Sequence, residues 1–251
     1  MSVFQSHPFP VSAYFDRVVA ISFAFPEESL KKFLSPGLRL DTYNGLGFIT
    51  VAMVWTKQMR PTIFPKMLGR SFFLAGYRVF VKYTNAQGKN LRGLQILKSE
   101  TDSRFMAMTG NLFTRYKYSF VDVDIESTLE RDLILVSGKE EFSGCEIVIQ
   151  KHSHEVSLPA NSPFPDWHEA RKYAGPMLYT FSYDPDRKAM VIVKGSREDW
   201  QPTPVSIEVN RIGFFDKPIF FDMPKPLMAN AFQVKNVEYA WSKGAIESVS
   251  P

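Results

Sequence analysis

Residues 72–100 read F-F-L-A-G-Y-R-V-F-V-K-Y-T-N-A-Q-G-K-N-L-R-G-L-Q-I-L-K-S-E, and their pattern decides the fold. Two runs rich in aromatic and β-branched residues, 72–83 and 91–100, flank the turn sequence N-A-Q-G at 85–88. That is the signature of a long strand, a turn and a returning partner. Downstream, Asp102 is placed to cap a helix starting at Ser103, because its carboxylate can accept an orphan backbone N–H. Phe105, Met108 and Leu112 share one face of that helix, and Gly110-Asn111 stops or bends it. The stretch T-G-N-L-F-T-R-Y-K-Y-S-F at 109–120 then leads into another strand.

Upstream, residues 38–43 and 46–55 flank Asn44-Gly45, a dipeptide that tolerates the positive φ angles of a tight hairpin turn. Residues 58–65 form a crossing loop, in which Arg60 before Pro61 reads as a staple to backbone carbonyls. Residues 12–25 make a strand. P-E-E at 26–28 opens a short helix, with proline in the first turn and acids at the positive end of the dipole. Beyond 118 the pattern is mainly strand and turn: 118–125, 133–137, 145–154, 177–183, 189–194, 205–209 and 231–241, with a helix at 166–173. There is no repeat, low-complexity tract or linker. The expected fold is mainly β (α+β by strict count): a single, mostly antiparallel domain over residues 1–251 with about three short helices.

Composition narrows the function classes. The chain is 45% hydrophobic and 22% charged, as in an ordinary globular protein. Its single cysteine, Cys145, excludes an intramolecular disulfide and fits a reducing compartment. No signal-peptide pattern opens the chain, and no run of apolar residues is long enough to span a membrane. The expectation is therefore a cytoplasmic protein with no membrane partner. Residues 42–99 carry nine basic side chains and no acidic one, so a face collecting them would favour an anion.

Within 109–120, Arg115 and Lys117 alternate with Tyr116 and Tyr118. On a strand, one pair faces inward and the other outward. With the cations inward, each would lower the other's pKa and activate the Lys117 amine as a nucleophile; with the tyrosines inward, they would line the site. Arg78 and Lys98 lie on adjoining strands, and an arginine in a β cavity can hold a carboxylate bidentately. H-S-H-E at 152–155 places two imidazoles on one strand face, but no third ligand is fixed by spacing, and no metal or other cofactor is expected. His168 starts H-E-A-R-K, which lacks the second histidine of a zinc protease helix. R-Y-K-Y alone is too little for nucleic-acid binding.

The run 72–120, read as strand, turn, strand, short helix and lysine-bearing strand, resembles the core unit of the acetoacetate decarboxylase-like superfamily, and P-G-L-R-L-D-T-Y-N-G at 36–45, M-R-P at 59–61, Arg78 and G-L-Q-I-L-K-S-E at 93–100 carry a closer match. Within it, the chain most resembles the YqjF-like family. The likeness spans residues 30–125 and implies a cone- or barrel-like β fold around a ligand cavity. In the decarboxylases, a lysine in a G-x-E-x-x-G-x-P-K-K stretch forms a Schiff base with a keto acid. Carried over, that role falls on Lys117. The corresponding stretch, 110–118, is one residue shorter, lacks the proline and has one lysine. Leu74, Ala75 and Gly76 stand where those enzymes carry an early-strand glutamate.

The first expectation is a cavity that binds a small, carboxylate-bearing or otherwise anionic molecule through Arg78, Lys98, Tyr116 and Tyr118, with catalysis left open. The alternative is a Schiff-base lyase using Lys117 assisted by Arg115. A third is a protein-interaction module built on a basic face. A homo-oligomer is compatible with all three.

Overall fold

The structure, a computed structural model, describes residues 4–151, 156–173 and 177–249. In chain order its strands are β1 (Val11–Pro26), β2 (Leu38–Leu40), β3 (Leu46–Pro61), β4 (Arg70–Thr84), β5 (Asn90–Thr101), β6 (Tyr118–Ser127), β7 (Arg131–Gly138), β8 (Cys145–Gln150), β9 (Tyr179–Asp184), β10 (Ala189–Arg197), β11 (Thr203–Pro204), β12 (Ile207–Ile212), β13 (Leu227–Trp241) and β14 (Ala245–Ser248). The α-helices are α1 (Glu27–Leu30), α2 (Arg104–Phe113) and α3 (Trp167–Arg171). The expected mainly β architecture with three short helices is what forms.

The pairings β4–β5–β9–β10–β13–β1–β3–β4 close a ring of strands. It is antiparallel except where β5 meets β9 in parallel. The end of β5 also pairs in parallel with β6, which starts a side arm ordered β6–β7–β8–β12.

β1, β3 and β4 run for 15 or 16 residues with long unbroken buried stretches. Such runs, rather than clean alternation, mark strands covered on both faces. Parity separates the two faces. Val19, Ile21, Ile49, Val51, Met53, Phe73, Tyr77 and Val79 face the main core, against Val121, Ile134, Ile147 and Ile149 of the arm. The even-numbered residues face the other way. There Phe48, Phe80 and Leu94 pack with Phe164, Ala170 and Tyr173 around α3, plugging one end. Val18, Ala20, Ala52, Val54, Phe72 and Leu74 pack with Met106 of α2 toward the other end. Between these two clusters the even face is hollow.

Three local expectations are corrected. Asn44 and Gly45 do adopt positive φ, and Tyr43 bridges Leu46. The expected hairpin stops there, however, because β2 pairs with β4 instead of β3. The cap of α2 is Ser103, whose Oγ accepts from Met106 N, while Asp102 accepts from Phe73 N and ties the helix start to β4. α2 also continues through Gly110-Asn111 to Phe113. Arg60 does act as a staple, donating to the carbonyls of Phe64 and Gln58, but from the end of β3, which takes up residues 58–61 of the expected crossing loop.

Candidate functional site

The hollow is a cavity of about 470 Å³. β1 contributes Val18 and Ala20 to its wall; β3 contributes Thr50, Ala52 and Val54; β4 contributes Phe72, Leu74, Gly76 and Arg78. The register aligns these in layers: Thr50 opposite Arg78, Ala52 opposite Gly76, and Val54 opposite Leu74. Among the described residues no Asp, Glu or Lys lines it.

Arg78 dominates its chemistry. The side chain keeps some surface open to the cavity, yet protein encloses it and burial lowers its pKa. Among the described residues its buried Nε has no hydrogen-bond partner, and its electrostatic neighbours are Tyr239, Tyr118 and Tyr116, with no carboxylate among them. Gly76 makes the room: a Cβ there would lie 2.8 Å from Arg78 Nε and 2.9 Å from Nη2. Beside it, Thr50 is 1% exposed, and its hydroxyl also has no hydrogen-bond partner. An unpaired buried cation beside an unpaired buried hydroxyl is costly. An anionic oxygen would satisfy both.

Tyr116 and Tyr118 line the cavity, their rings 6.4 Å apart. Burial raises both phenols, outweighing the nearby guanidinium; Tyr118 is pushed up to about 12 and Tyr116 further. Both are therefore neutral O–H donors at physiological pH. Asn111 fixes this connector by accepting from Tyr118 N and donating to Tyr118 O, each at 2.8 Å. Gly110 lets the Tyr118 ring pack against α2, because a Cβ would fall 2.4 Å from the ring. Tyr239 joins from β13, its pKa raised by burial.

The two expected catalytic cations lie elsewhere. Lys117 is exposed, precedes β6 and has φ +53°, and its carbonyl accepts from Ser99 N. Arg115 is held by Asp184 at 3.0 Å, at the end of β9. The alternation at 115–118 thus resolves with the tyrosines toward the cavity and the cations away from it. Lys98 is displaced for a different reason. A bulge in β5 puts Tyr77 opposite Lys98 but Arg78 opposite Ile96, so Leu97 is the extra residue. Without it, Lys98 would share Arg78's face. With it, Lys98 turns to the main core and pairs with Glu100 at 2.8 Å. Glu100 is 0% exposed and also accepts from Tyr77 Oη and Gly144 N, so that cluster is internally satisfied.

Sequence reasoning missed Thr50, Gly76, Tyr239 and His7. The register of β3 against β4 would have pointed to Thr50, and Gly-x-Arg at 76–78 to the space beneath the guanidinium. His7 lines the cavity through a positive-φ backbone (+54°). Burial lowers its pKa, outweighing nearby backbone groups, and its Nδ1 makes no hydrogen bond of good geometry. Cys145 is buried and its thiol is pushed up to about 12 by burial, so it is an inert core residue. His152, His154 and Glu155 lie outside the described residues. Among the described residues, no helix is long and apolar enough to cross a membrane.

The model of DUF2071, an uncharacterised conserved protein family, matches residues 13–232. The chain belongs to that family. No curated protein matches its sequence. Among solved structures, it is similar to acetoacetate decarboxylase from Legionella pneumophila subsp. pneumophila str. Philadelphia 1 (10% identity, 96% of this chain and 88% of that one, TM-score 0.62). It is also similar to the enduracididine biosynthesis enzyme MppR complexed with pyruvate (14% identity, 96% and 91%, TM-score 0.61). A third is an acetoacetate decarboxylase-like enzyme from Sphingomonas wittichii RW1 (9% identity, 96% and 94%, TM-score 0.58). At these identities the likeness establishes the acetoacetate decarboxylase-like fold of this DUF2071 member, and its chemistry has to be argued from its own residues.

Proposed function

We propose that this protein binds a carboxylate-bearing small molecule in its cavity, with Arg78 as the anion anchor. The observation that carries the reading is the enclosed guanidinium without a counter-ion among the described residues. Buried charges in folded proteins are paired or reserved for a ligand. Thr50 supplies a second donor, while Tyr116 and Tyr118 supply neutral hydroxyls for the remaining carboxylate oxygen or a neighbouring polar group. MppR, of the same fold, is described in complex with pyruvate, which supports a carboxylate as the class.

The Schiff-base alternative needs an amine within reach of the ligand. No lysine lines the cavity among the described residues, and Lys117 is exposed. That weighs for binding through Arg78 over covalent chemistry through Lys117.

The test is calorimetric titration of carboxylates and of their uncharged amides into the wild type and Arg78→Leu. Carboxylates should bind the wild type and lose at least tenfold in the variant, while amides bind neither well. Equal carboxylate affinity for both proteins would remove Arg78 from the site and end this reading.

A further inference from the structure

The cavity holds far more apolar wall than one carboxylate needs, and that wall has an order. Arg70, Phe72, Leu74, Gly76 and Arg78 all line it from alternate positions of β4. At ~3.3 Å per residue, the row from Arg78 to Arg70 covers roughly 26 Å before twist shortens it. Arg78 and Thr50 form its inner end. The next layer is made of the smallest side chains available, Ala20, Ala52 and Gly76, which leave the width open. Beyond them come Val18, Val54 and Leu74, then Phe15 and Phe72. The outer end opens between the β3–β4 loop and α2. There Phe64 (47% exposed), Leu68 (63%) and Phe105 (47%) line the cavity while also facing solvent. Arg70 stacks over the Phe105 ring at 4.3 Å, and Met67 and Met108 extend the apolar rim outward. Exposed apolar groups continuous with an apolar cavity mark an entrance for an apolar ligand.

Volume sharpens the point. At ~30 Å³ for a water-sized heavy atom, about 470 Å³ has room for on the order of fifteen such atoms. A three- or four-carbon keto acid would fill less than half of it and leave the apolar wall unmatched.

We infer that the ligand is an amphiphilic monocarboxylate, its carboxylate on Arg78 and Thr50 and an apolar chain of about ten carbons running past Leu74 and Phe72 to the mouth. This rests on the reading of Arg78 as the anion anchor and adds the nature of the ligand's body. Ala52 sets the free width beside the head group, and Phe105 and Leu68 meet the tail.

The experiment is a chain-length series, with acetate, butanoate, hexanoate, octanoate, decanoate, dodecanoate, pyruvate and the uncharged decanol. Each is titrated below its micellar concentration into wild type, Ala52→Met and Arg78→Leu. Each methylene buried should raise affinity about fourfold, since ~0.8 kcal/mol per CH₂ corresponds to that ratio. The rise should continue to about ten carbons and then flatten. Ala52→Met, by occupying the lumen, should move the plateau to shorter acids. A flat series, or pyruvate binding better than decanoate, would overturn the amphiphile inference while leaving carboxylate binding standing. Chain-length dependence that survives undiminished in Arg78→Leu, with decanol binding as well as decanoate, would instead overturn the anion anchor. The wild-type series decides the matter even if Ala52→Met fails to fold.

Discussion

Replacing Arg78 by leucine should stabilise the empty protein. The guanidinium is enclosed, its Nε has no partner, and no carboxylate stands among its electrostatic neighbours. Removing an ion from water costs several kcal/mol even after relaxation, and here no Coulombic partner offsets it. Exchanging buried ionic groups for apolar ones of similar volume is often neutral or stabilising by ~1–4 kcal/mol. Leucine would face Ala52, Gly76 and Ile96 without steric demand, because the space beside it is already cavity. The expected gain is therefore about 1–3 kcal/mol. At ~2–4 °C per kcal/mol for a chain of this size, the melting temperature should rise by several degrees. Urea unfolding and thermal melts of ligand-free wild type, Arg78→Leu and Arg78→Met measure it. With a saturating carboxylate the gap should narrow by at least ~1.3 kcal/mol, since a ligand at a hundred times its Kd adds ~2.7 kcal/mol to the wild type and at most ~1.4 to a variant that binds it tenfold more weakly. A ligand-free Arg78→Leu protein destabilised by more than about 1 kcal/mol would refute the reasoning, because the guanidinium would then be a structural contact.

Four further outcomes follow from particular contacts. Gly76→Ala should push the guanidinium aside and weaken carboxylate binding at least tenfold, with stability changed by less than ~1 kcal/mol, because the clash falls on a flexible side chain; unchanged affinity by calorimetry would count against the pose of Arg78. Lys117→Gly should hold or raise stability by up to ~1 kcal/mol, since Lys117 sits at positive φ, and borohydride treatment of the wild type with pyruvate should leave no adduct at Lys117 by mass spectrometry. Burial pushes the Asp132 carboxyl up, but hydrogen bonds from Lys151, Ser127 and Arg17 outweigh it and hold it at about 2; a group depressed from 3.8 contributes stability above that value and loses it as pH falls toward 2, so Asp132→Asn should remove roughly 1–2 kcal/mol at neutral pH and flatten the acid limb of a denaturation curve. His7 is lowered from 6.5 by burial, so acidification below 6.5 protonates the unfolded chain first and stability should fall there, a slope that His7→Gln should abolish in pH-dependent melts.

Much of the architecture was legible because long apolar strands announce themselves. The uninterrupted runs of β1, β3 and β4 and the N-A-Q-G turn carry local chemistry that tertiary contacts did not override, whereas at Asn44-Gly45 only the turn survived and the hairpin did not. What failed was sidedness. Reading Arg78 and Lys98 as companions assumed an unbroken register, and one extra residue at Leu97 inverted it. Nothing local marks that bulge: I-L-K reads as well in a regular strand. Its consequence is non-local, since Lys98 gains Glu100 in the main core. Arg115 and Lys117 were left open in the sequence for a different reason. The alternation was right, but period two does not say which face is the inside. That was decided by Gly110, which accepts the Tyr118 ring, and by Asp184, which draws Arg115 away.

The disposition of charge now has a physical account. Of the nine basic residues in 42–99, Lys57, Lys66, Lys82, Arg92 and Lys98 reach carboxylates contributed from outside or at the edge of that stretch: Asp16, Glu238, Asp41 and Glu100. The acid-free run therefore did not produce a bare basic face, and a protein-interaction module resting on one has little to stand on. It left Lys89 exposed in the turn before β5, Arg60 and Arg70 at the mouth and Arg78 within. Arg60 is engaged by loop carbonyls and Arg70 lies on an aromatic ring. Among the described residues Arg78 has neither kind of partner. An acid beside it on the cavity face of β3 or β4 would have paired with it and closed the site to anions. The absence of one there is what keeps the guanidinium available, and a single acid within reach of Arg78 should be enough to remove carboxylate binding. Thr50→Glu, opposite Arg78 in the register, is the direct check: it should restore a buried ion pair and abolish binding by competition. Retention of wild-type affinity in that variant would show that the carboxylate sits elsewhere.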